Sequence, residues 1–215
     1  MKHRLSRDQM AARLAADISD GSYVNIGIGL PELVMQHLHS DREIILQSEN
    51  GILGMGPLAL EGHEDLELIN AGKKPVTLLA GAAFMDHVTS FTMMRGGHLD
   101  ICVMGAMQVS RAGDLANWSL GRPDEPPAVG GAMDLAVGAR QVFILMEHNA
   151  KDGSPKVVDE CTLPLTAMGV VTRIYTDLAV LHVTPEGLRV AQINEGLEFE
   201  ALQACTGTRL LPLDL

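Results

Sequence analysis

Residues 43–57 read EIILQSENGILGMGP. The apolar run Ile44-Ile45-Leu46 predicts a buried strand over 43–47, and that strand delivers a carboxylate, Glu49, flanked by Ser48 and Asn50. Gly51, Gly54, Gly56 and Pro57 follow within a few positions. A carboxylate at the end of a core strand is a salt-bridge partner, a general acid–base or a covalent nucleophile, and residue type alone leaves all three open. The flanks favour a group that a substrate must reach. Ser48 and Asn50 can hydrogen-bond and aim it, and glycines remove side chains that would obstruct a bulky ligand.

Around that stretch the pattern is α/β. Ser6 and Gln9 form a capping box, Met10, Leu14 and Ile18 recur on one helix face, and Gly21 is a stop signal. Tyr23–Ile26 predicts a strand that turns through Gly27 and Gly29 into a helix opening at Pro31, with Leu33, Val34 and Leu38 inward. Val76–Leu79, Ile101–Met104 and Val142–Met146 are continuous apolar runs, the pattern of strands covered by helices on both faces. Beyond about residue 156, Val170–Tyr175, Leu178–Val183 and Leu188–Ile193 predict an antiparallel meander, with a short helix near 198–205. Without repeats, low-complexity tracts or linkers, residues 1–215 read as a single α/β domain with a β-rich C-terminal portion.

Composition narrows the function. Of 215 residues, 47% are hydrophobic and only 3% aromatic, so the core is aliphatic, helped by 12 adaptable methionines. A formal net charge of −11 argues against nucleic acid, which needs a basic surface, but not against a small anion held by local charge or backbone N–H groups. No apolar run approaches the roughly 20 residues that span a membrane, and the N-terminus MKHRLSRDQMAARLAAD lacks the apolar core of a signal peptide. A cytoplasmic location is the expectation. Cys102, Cys161 and Cys205 have neither disulfide-framework nor C-x-x-C spacing, and the histidines match no ligand pattern, so no metal is expected. The Gly27-x-Gly29 turn lacks the third glycine of a dinucleotide fingerprint. Glycine pairs at Gly96-Gly97 and Gly130-Gly131 let backbone N–H groups converge on an oxyanion or phosphate, with ordinary turn-making the alternative. Lys73 is local positive charge in an acidic chain, and for a lone lysine solvation is the default.

Ser48-Glu49-Asn50-Gly51-Ile-Leu-Gly-Met-Gly-Pro57 resembles the active-site signature of the B (β) chains of family I coenzyme A transferases. Leu68-Ile-Asn-Ala-Gly-Lys73, Met94-Arg-Gly-Gly-His-Leu-Asp100, Gly113-Asp-Leu-Ala-Asn-Trp118, Gly130-Gly-Ala-Met-Asp134 and Cys161-Thr-Leu-Pro-Leu165 match the family pattern in the same order, so the resemblance covers about residues 5–208. It implies a three-layer α/β/α CoA-transferase-type fold with the β-rich tail packed onto it. It implies a separate A (α) subunit, an α2β2 heterotetramer and an active site at the subunit interface. The implied reaction is ping-pong transfer of CoA between carboxylic acids, with coenzyme A esters as substrates and no further cofactor. By the same resemblance Glu49 is the covalent nucleophile and the Gly130 and Gly131 N–H groups face the oxyanion. Lys73 pairs with a substrate carboxylate or a CoA phosphate, and Ser48, Asn50 and Asn117 position.

Segments 127–143 and 173–188 look more like the 3-oxoadipate subgroup, and 119–131 departs from the acetoacetate pattern. Succinyl-CoA and 3-oxoadipate are the implied pair, with acetoacetate as the alternative acceptor. A CoA-ester hydrolase or a non-catalytic binding relative on the same scaffold are further alternatives, the latter disfavoured by an intact Glu49.

Overall fold

Ser6 starts the first helix, α1 (Arg7–Ala16), as a capping box: its Oγ accepts from the Gln9 N–H at 3.2 Å and its own N–H donates to Gln9 Oε1 at 2.9 Å. The helix stops at Ala16, short of Gly21. There Arg42 satisfies the Ala16 and Ile18 carbonyls at 3.1 and 2.8 Å, and the Asp17 carboxylate accepts from the Tyr175 hydroxyl at 2.7 Å. The computed structural model describes residues 3–122 and 128–213. After α1 come β1 (Tyr23–Ile26), a 3-10 helix (Leu30–His37), β2 (Ile45–Ser48), β3 (Ile52–Leu58), β4 (Val76–Phe84) and α2 (His87–Arg95). The middle of the chain supplies β5 (Ile101–Met104), β6 (Gln108–Ser110), β7 (Leu115–Ala116), α3 (Ala132–Gly138), β8 (Gln141–Leu145) and β9 (Val157–Val158). It ends with β10 (Val171–Tyr175), β11 (Ala179–Thr184), β12 (Gly187–Ile193), α4 (Phe199–Ala204) and β13 (Leu210–Leu211).

Ten strands form one sheet in the order β13-β12-β11-β10-β8-β5-β1-β2-β3-β4, and β7-β6-β9 form a small second sheet. The centre, from β10 to β2, is parallel. Its strands alternate between two cores. Ile101, Val103, Phe143 and Leu145 pack on one side with α1 and the 3-10 helix, while Cys102, Met104, Val142 and Ile144 pack on the other with α2, α3 and α4. This is the expected three-layer α/β/α arrangement. The C-terminal meander is more closely integrated than a packed-on tail, because β10 pairs parallel with β8 and carries β11 and β12 into the same sheet.

Two local readings change. Val76–Leu79 begins β4, which sits at the sheet's end and pairs only with β3. Leu78 (38%), Leu79 (47%) and Phe84 (69%) are exposed. An apolar run carries the same signal whether helices of its own chain or another surface cover it. Ile52–Leu58 is itself a strand, and its glycines serve strand pairing more than ligand access. A Cβ at Gly54 would meet the Ala82 backbone at 3.0 Å, and one at Gly56 would lie 2.5 Å from Thr77 Oγ1.

Among the described residues no helix is long and apolar enough to cross a membrane, and no cluster of His, Cys, Asp or Glu is suited to a metal. The three cysteines are free.

His148 ties the layers together. It is fully buried, its ring nitrogens bond Thr176 Oγ1 at 3.0 Å and Thr206 Oγ1 at 2.9 Å, and its N–H donates to Asp177 Oδ1 at 2.8 Å. Burial pushes its pKa down to about 4 from 6.5, against the opposing charge of Asp177. The unfolded chain thus takes up a proton that the folded state resists, so this stabilisation is complete above pH 6.5 and drains away as pH falls toward 4. Urea denaturation between those two pH values should show a loss of roughly 3 kcal/mol from this group. A His148→Gln variant, although less stable at neutral pH, should lose less over that interval; an equal slope would assign the acid sensitivity elsewhere.

Candidate active site

Glu49 stands at the corner where β2 turns into β3. The turn closes through Gly51 N–H to Ser48 O at 2.9 Å, and Gly51 O accepts from Met85 N–H at 2.9 Å, docking the corner against the start of α2. Gly51 is in the left-handed region, φ 112°, and a Cβ there would lie 2.1 Å from the Met85 carbonyl oxygen, so only glycine fits. The half-buried carboxylate faces the start of α3. At Gly131 a Cβ would come within 2.4 Å of Glu49 Oε2 and 3.3 Å of Phe91 Cζ. Bare backbone thus approaches the carboxylate, and neither the Gly130 nor the Gly131 N–H has a partner among the described residues. Burial raises the Glu49 pKa, His87 on α2 opposes this, and Asp134 on α3 adds to it. Asp134 is bound by Arg95 at 2.6 Å, which ties α3 to α2.

Glu49 opens onto a cavity of about 440 Å³ at the C-terminal ends of β1, β2 and β5, where an open parallel sheet places its ligands. Gly130, Gly131 and Asn117 also line it. Asn117 is held by Thr166 Oγ1 at 2.6 Å and by Gly105 O at 3.2 Å. Ser48 and Asn50 do not bond the carboxylate. Ser48 Oγ accepts from Ala71 N–H at 3.0 Å and Asn50 Nδ2 donates to Ile69 O at 2.7 Å, so both hold the 69–74 loop at the rim. Lys73 sits in that loop with φ 61°, exposed and outside the cavity lining. Its neighbour Lys74 reaches inward to Glu32 Oε2 at 2.8 Å. The glycine pair at Gly96-Gly97 closes α2 and lies away from the cavity. A wider cleft of about 600 Å³ lies along Arg4, Glu147 and Lys151, but its arginines are occupied by Asp177 and Glu147, and Glu49 does not line it.

The family profile described as Coenzyme A transferase matches residues 7–198. The chain belongs to the coenzyme A transferase family. Among proteins similar to this transferase, the B chain of the 3-oxoadipate CoA-transferase of Pseudomonas putida is 60% identical over 208 residues, 97% of both chains. The corresponding chain of Acinetobacter baylyi is 56% identical over 97% of this chain and 96% of its own. The beta chain of the acetate CoA-transferase of Escherichia coli is 44% identical over 95% of this chain and 93% of its own. Among solved structures, an acyl-CoA transferase of E. coli O157:H7 superposes with a TM-score of 0.75 at 18% identity, and this chain covers 42% of it. Glutaconate coenzyme A-transferase of Acidaminococcus fermentans gives a TM-score of 0.69 at 18% identity, with 98% and 89% of the two chains covered. The match to these two structures concerns the fold.

For this transferase, sequence reasoning missed the groups that set the carboxylate's environment. His87, Phe91 and Asp134 sit on helices whose relative placement only packing decides, and no motif spacing connects them to residue 49. Two outcomes follow from the geometry. Gly131→Ala should cut turnover by about 100-fold, since a displacement near 1 Å at a reacting group has that effect. The melting temperature should move little, because the obstructed neighbour is the end of a side chain; unchanged turnover would remove the close approach from the mechanism. In pH–rate profiles the acid limb of kcat/KM should lie above the ordinary carboxylate range. It should shift to lower pH in Asp134→Asn and to higher pH in His87→Ala, and an unmoved limb in both would assign it to another group.

Proposed function

We propose that this chain is the B (β) chain of a 3-oxoadipate CoA-transferase and moves CoA from succinyl-CoA to 3-oxoadipate through a covalent glutamyl-CoA thioester on Glu49. The observation that carries the reading is the half-buried Glu49 carboxylate set against the bare Gly131 backbone at a cavity that admits an acyl thioester. A carboxylate there attacks the thioester carbonyl, the C–S bond breaks, and an acyl-glutamyl anhydride and CoA thiolate result. The thiolate attacks Glu49 Cδ, releasing succinate and leaving the glutamyl-CoA thioester. The 3-oxoadipate carboxylate attacks that carbon and expels the thiolate. The thiolate then takes the acyl group from the anhydride and returns Glu49 as a carboxylate. An anhydride keeps the acyl group activated, so no ATP is needed. The Gly130 and Gly131 N–H groups are the candidate donors to the tetrahedral oxyanions, and Asn117 positions the acyl group. Lys73, exposed at the rim, suits a CoA phosphate better than the acyl end.

The subgroup assignment is supported by 60% and 56% identity to 3-oxoadipate enzymes, against 44% to the B chain of the succinyl-CoA:3-ketoacid coenzyme A transferase of Helicobacter pylori. A separate A (α) subunit belongs to the reading, as does a cytoplasmic α2β2 assembly, and two features support the partner. Leu79 and Phe84 on β4 and Val88 (73% exposed) on α2 leave apolar side chains exposed on the segments between the Glu49 corner and α3, and a partner covering them would help keep water from the anhydride. The described lining of the cavity carries two carboxylates, Glu32 and Glu49, and no lysine, arginine or histidine. A cation for the distal carboxylate of a dicarboxylic acid would then come from the other subunit.

With the α subunit co-expressed, incubation with succinyl-CoA followed by borohydride should inactivate the enzyme by reducing residue 49. Glu49→Ala should be resistant and at least about 1,000-fold less active. Full activity after borohydride, or in Glu49→Ala, would refute the mechanism, and a higher kcat/KM with acetoacetate than with 3-oxoadipate would refute the acceptor.

A further inference from the structure

Among the described residues no side chain hydrogen-bonds the Glu49 carboxylate, so its aim comes from the main chain that carries it. Beneath that main chain runs a buried polar chain. Asn25 on β1 donates from Nδ2 to Gln47 Oε1 at 2.7 Å and to the Gln47 carbonyl at 3.1 Å. Gln47 on β2 donates from Nε2 to Ser90 Oγ at 2.9 Å, and Ser90 on α2 donates to the Glu49 carbonyl at 2.8 Å. Asn25, Gln47 and Ser90 are 4%, 1% and 0% exposed.

The direction of these bonds is forced. Main-chain carbonyls can only accept, and they terminate the chain at both ends. The bond to the Gln47 carbonyl fixes the Asn25 amide group with Nδ2 toward Gln47, which leaves Oε1 of Gln47 as the acceptor and turns its Nε2 to Ser90. The Ser90 oxygen is then occupied by a donor, and its one hydrogen belongs to the Glu49 carbonyl. A chain with a single arrangement of protons holds the 49–50 peptide in one orientation, and with it the Cα–Cβ direction of Glu49. Three polar side chains in a dry interior cost stability wherever they are incompletely bonded, so simple packing would be served by apolar residues at the same positions.

We propose that Ser90 and Gln47 are positioning residues that aim the Glu49 carboxylate by fixing its backbone; the proposal rests on Glu49 as the nucleophile. They act on a group that is an anion, an anhydride and a thioester in turn. A fixed main chain serves all three forms, whereas a donor bonded to the carboxylate would favour only the first.

The test uses the complex with the α subunit. Ser90→Ala should lower kcat and the rate of borohydride-trappable thioester formation by 10- to 100-fold, with KM for succinyl-CoA within about threefold of wild type. Gln47→Met, close in volume but without the amide, should give the same pattern. The double variant should be little worse than either single, because the bonds act as one unit. Ser90→Thr, which keeps the hydroxyl, should recover most of the rate. Lower melting temperatures with wild-type thioester formation would reduce the chain to a structural role and overturn the proposal, as would additive losses or a KM effect alone. Failure of the wild-type complex to form any trappable thioester would instead refute Glu49 as nucleophile.

Discussion

No side chain fits between the start of α3 and the Glu49 carboxylate, and much of this fold is arranged around that approach. Gly131 can be reached only because α2 and α3 are locked side by side, with Arg95 clasping Asp134 and lying 5.7 Å over the Phe91 ring. Met94 packs in the same layer, and Gly138 ends α3 so close to it that a Cβ would lie 2.1 Å from the Met94 carbonyl oxygen. From the other side Gly51 presses against Met85, which puts the corner after β2 in contact with the start of α2. Glycine at positions 51 and 138 thus lets backbones meet where Cβ atoms would hold them apart, and glycine at 131 leaves room for the Glu49 carboxylate.

Burial and function pull against each other at this corner. A carboxylate removed from water holds its proton more tightly, and Asp134 strengthens that tendency. The same removal of water would protect the proposed anhydride from hydrolysis and strengthen any donor near the reacting carbon. His87 offsets part of the cost of keeping the group ionised. Cys102 lies beneath, fully buried, with its thiol pKa pushed up by burial and by the Glu49 charge, which leaves it inert.

The edge of the sheet carries the opposite problem. β4 is long, apolar and paired on one side only, a combination that soluble proteins usually cover. The described lining of the adjoining cleft carries Glu49 and Glu32, the latter paired with Lys74, so little free positive charge faces the anionic substrates proposed for it. The proposed second subunit, lying on this edge, would relieve both conditions, supplying apolar contact to β4 and positive charge to the cleft.

What the sequence determined by itself was local and periodic. The Ser6 capping box, the apolar runs of β5 and β8, the C-terminal meander and the placing of Glu49 directly after a core strand were legible because each is written in neighbouring residues. The tertiary structure decided what depends on distance across the chain. Ser48 and Asn50 looked like the residues that aim Glu49, yet alternation along the turn points them at the 69–74 loop. Ser90, which bonds the Glu49 carbonyl, and Gln47, which bonds Ser90, sit on a helix and a strand whose contact no spacing encodes. The glycines after Glu49 looked like space for a ligand and prove to be contacts between strands. Gly131, expected to face an oxyanion with turn-making as the alternative, lies where a Cβ would come within 2.4 Å of the carboxylate. Composition likewise could not separate a buried strand from β4, since apolar residues are selected by whatever finally covers them. That is settled by packing, within the chain or beyond it.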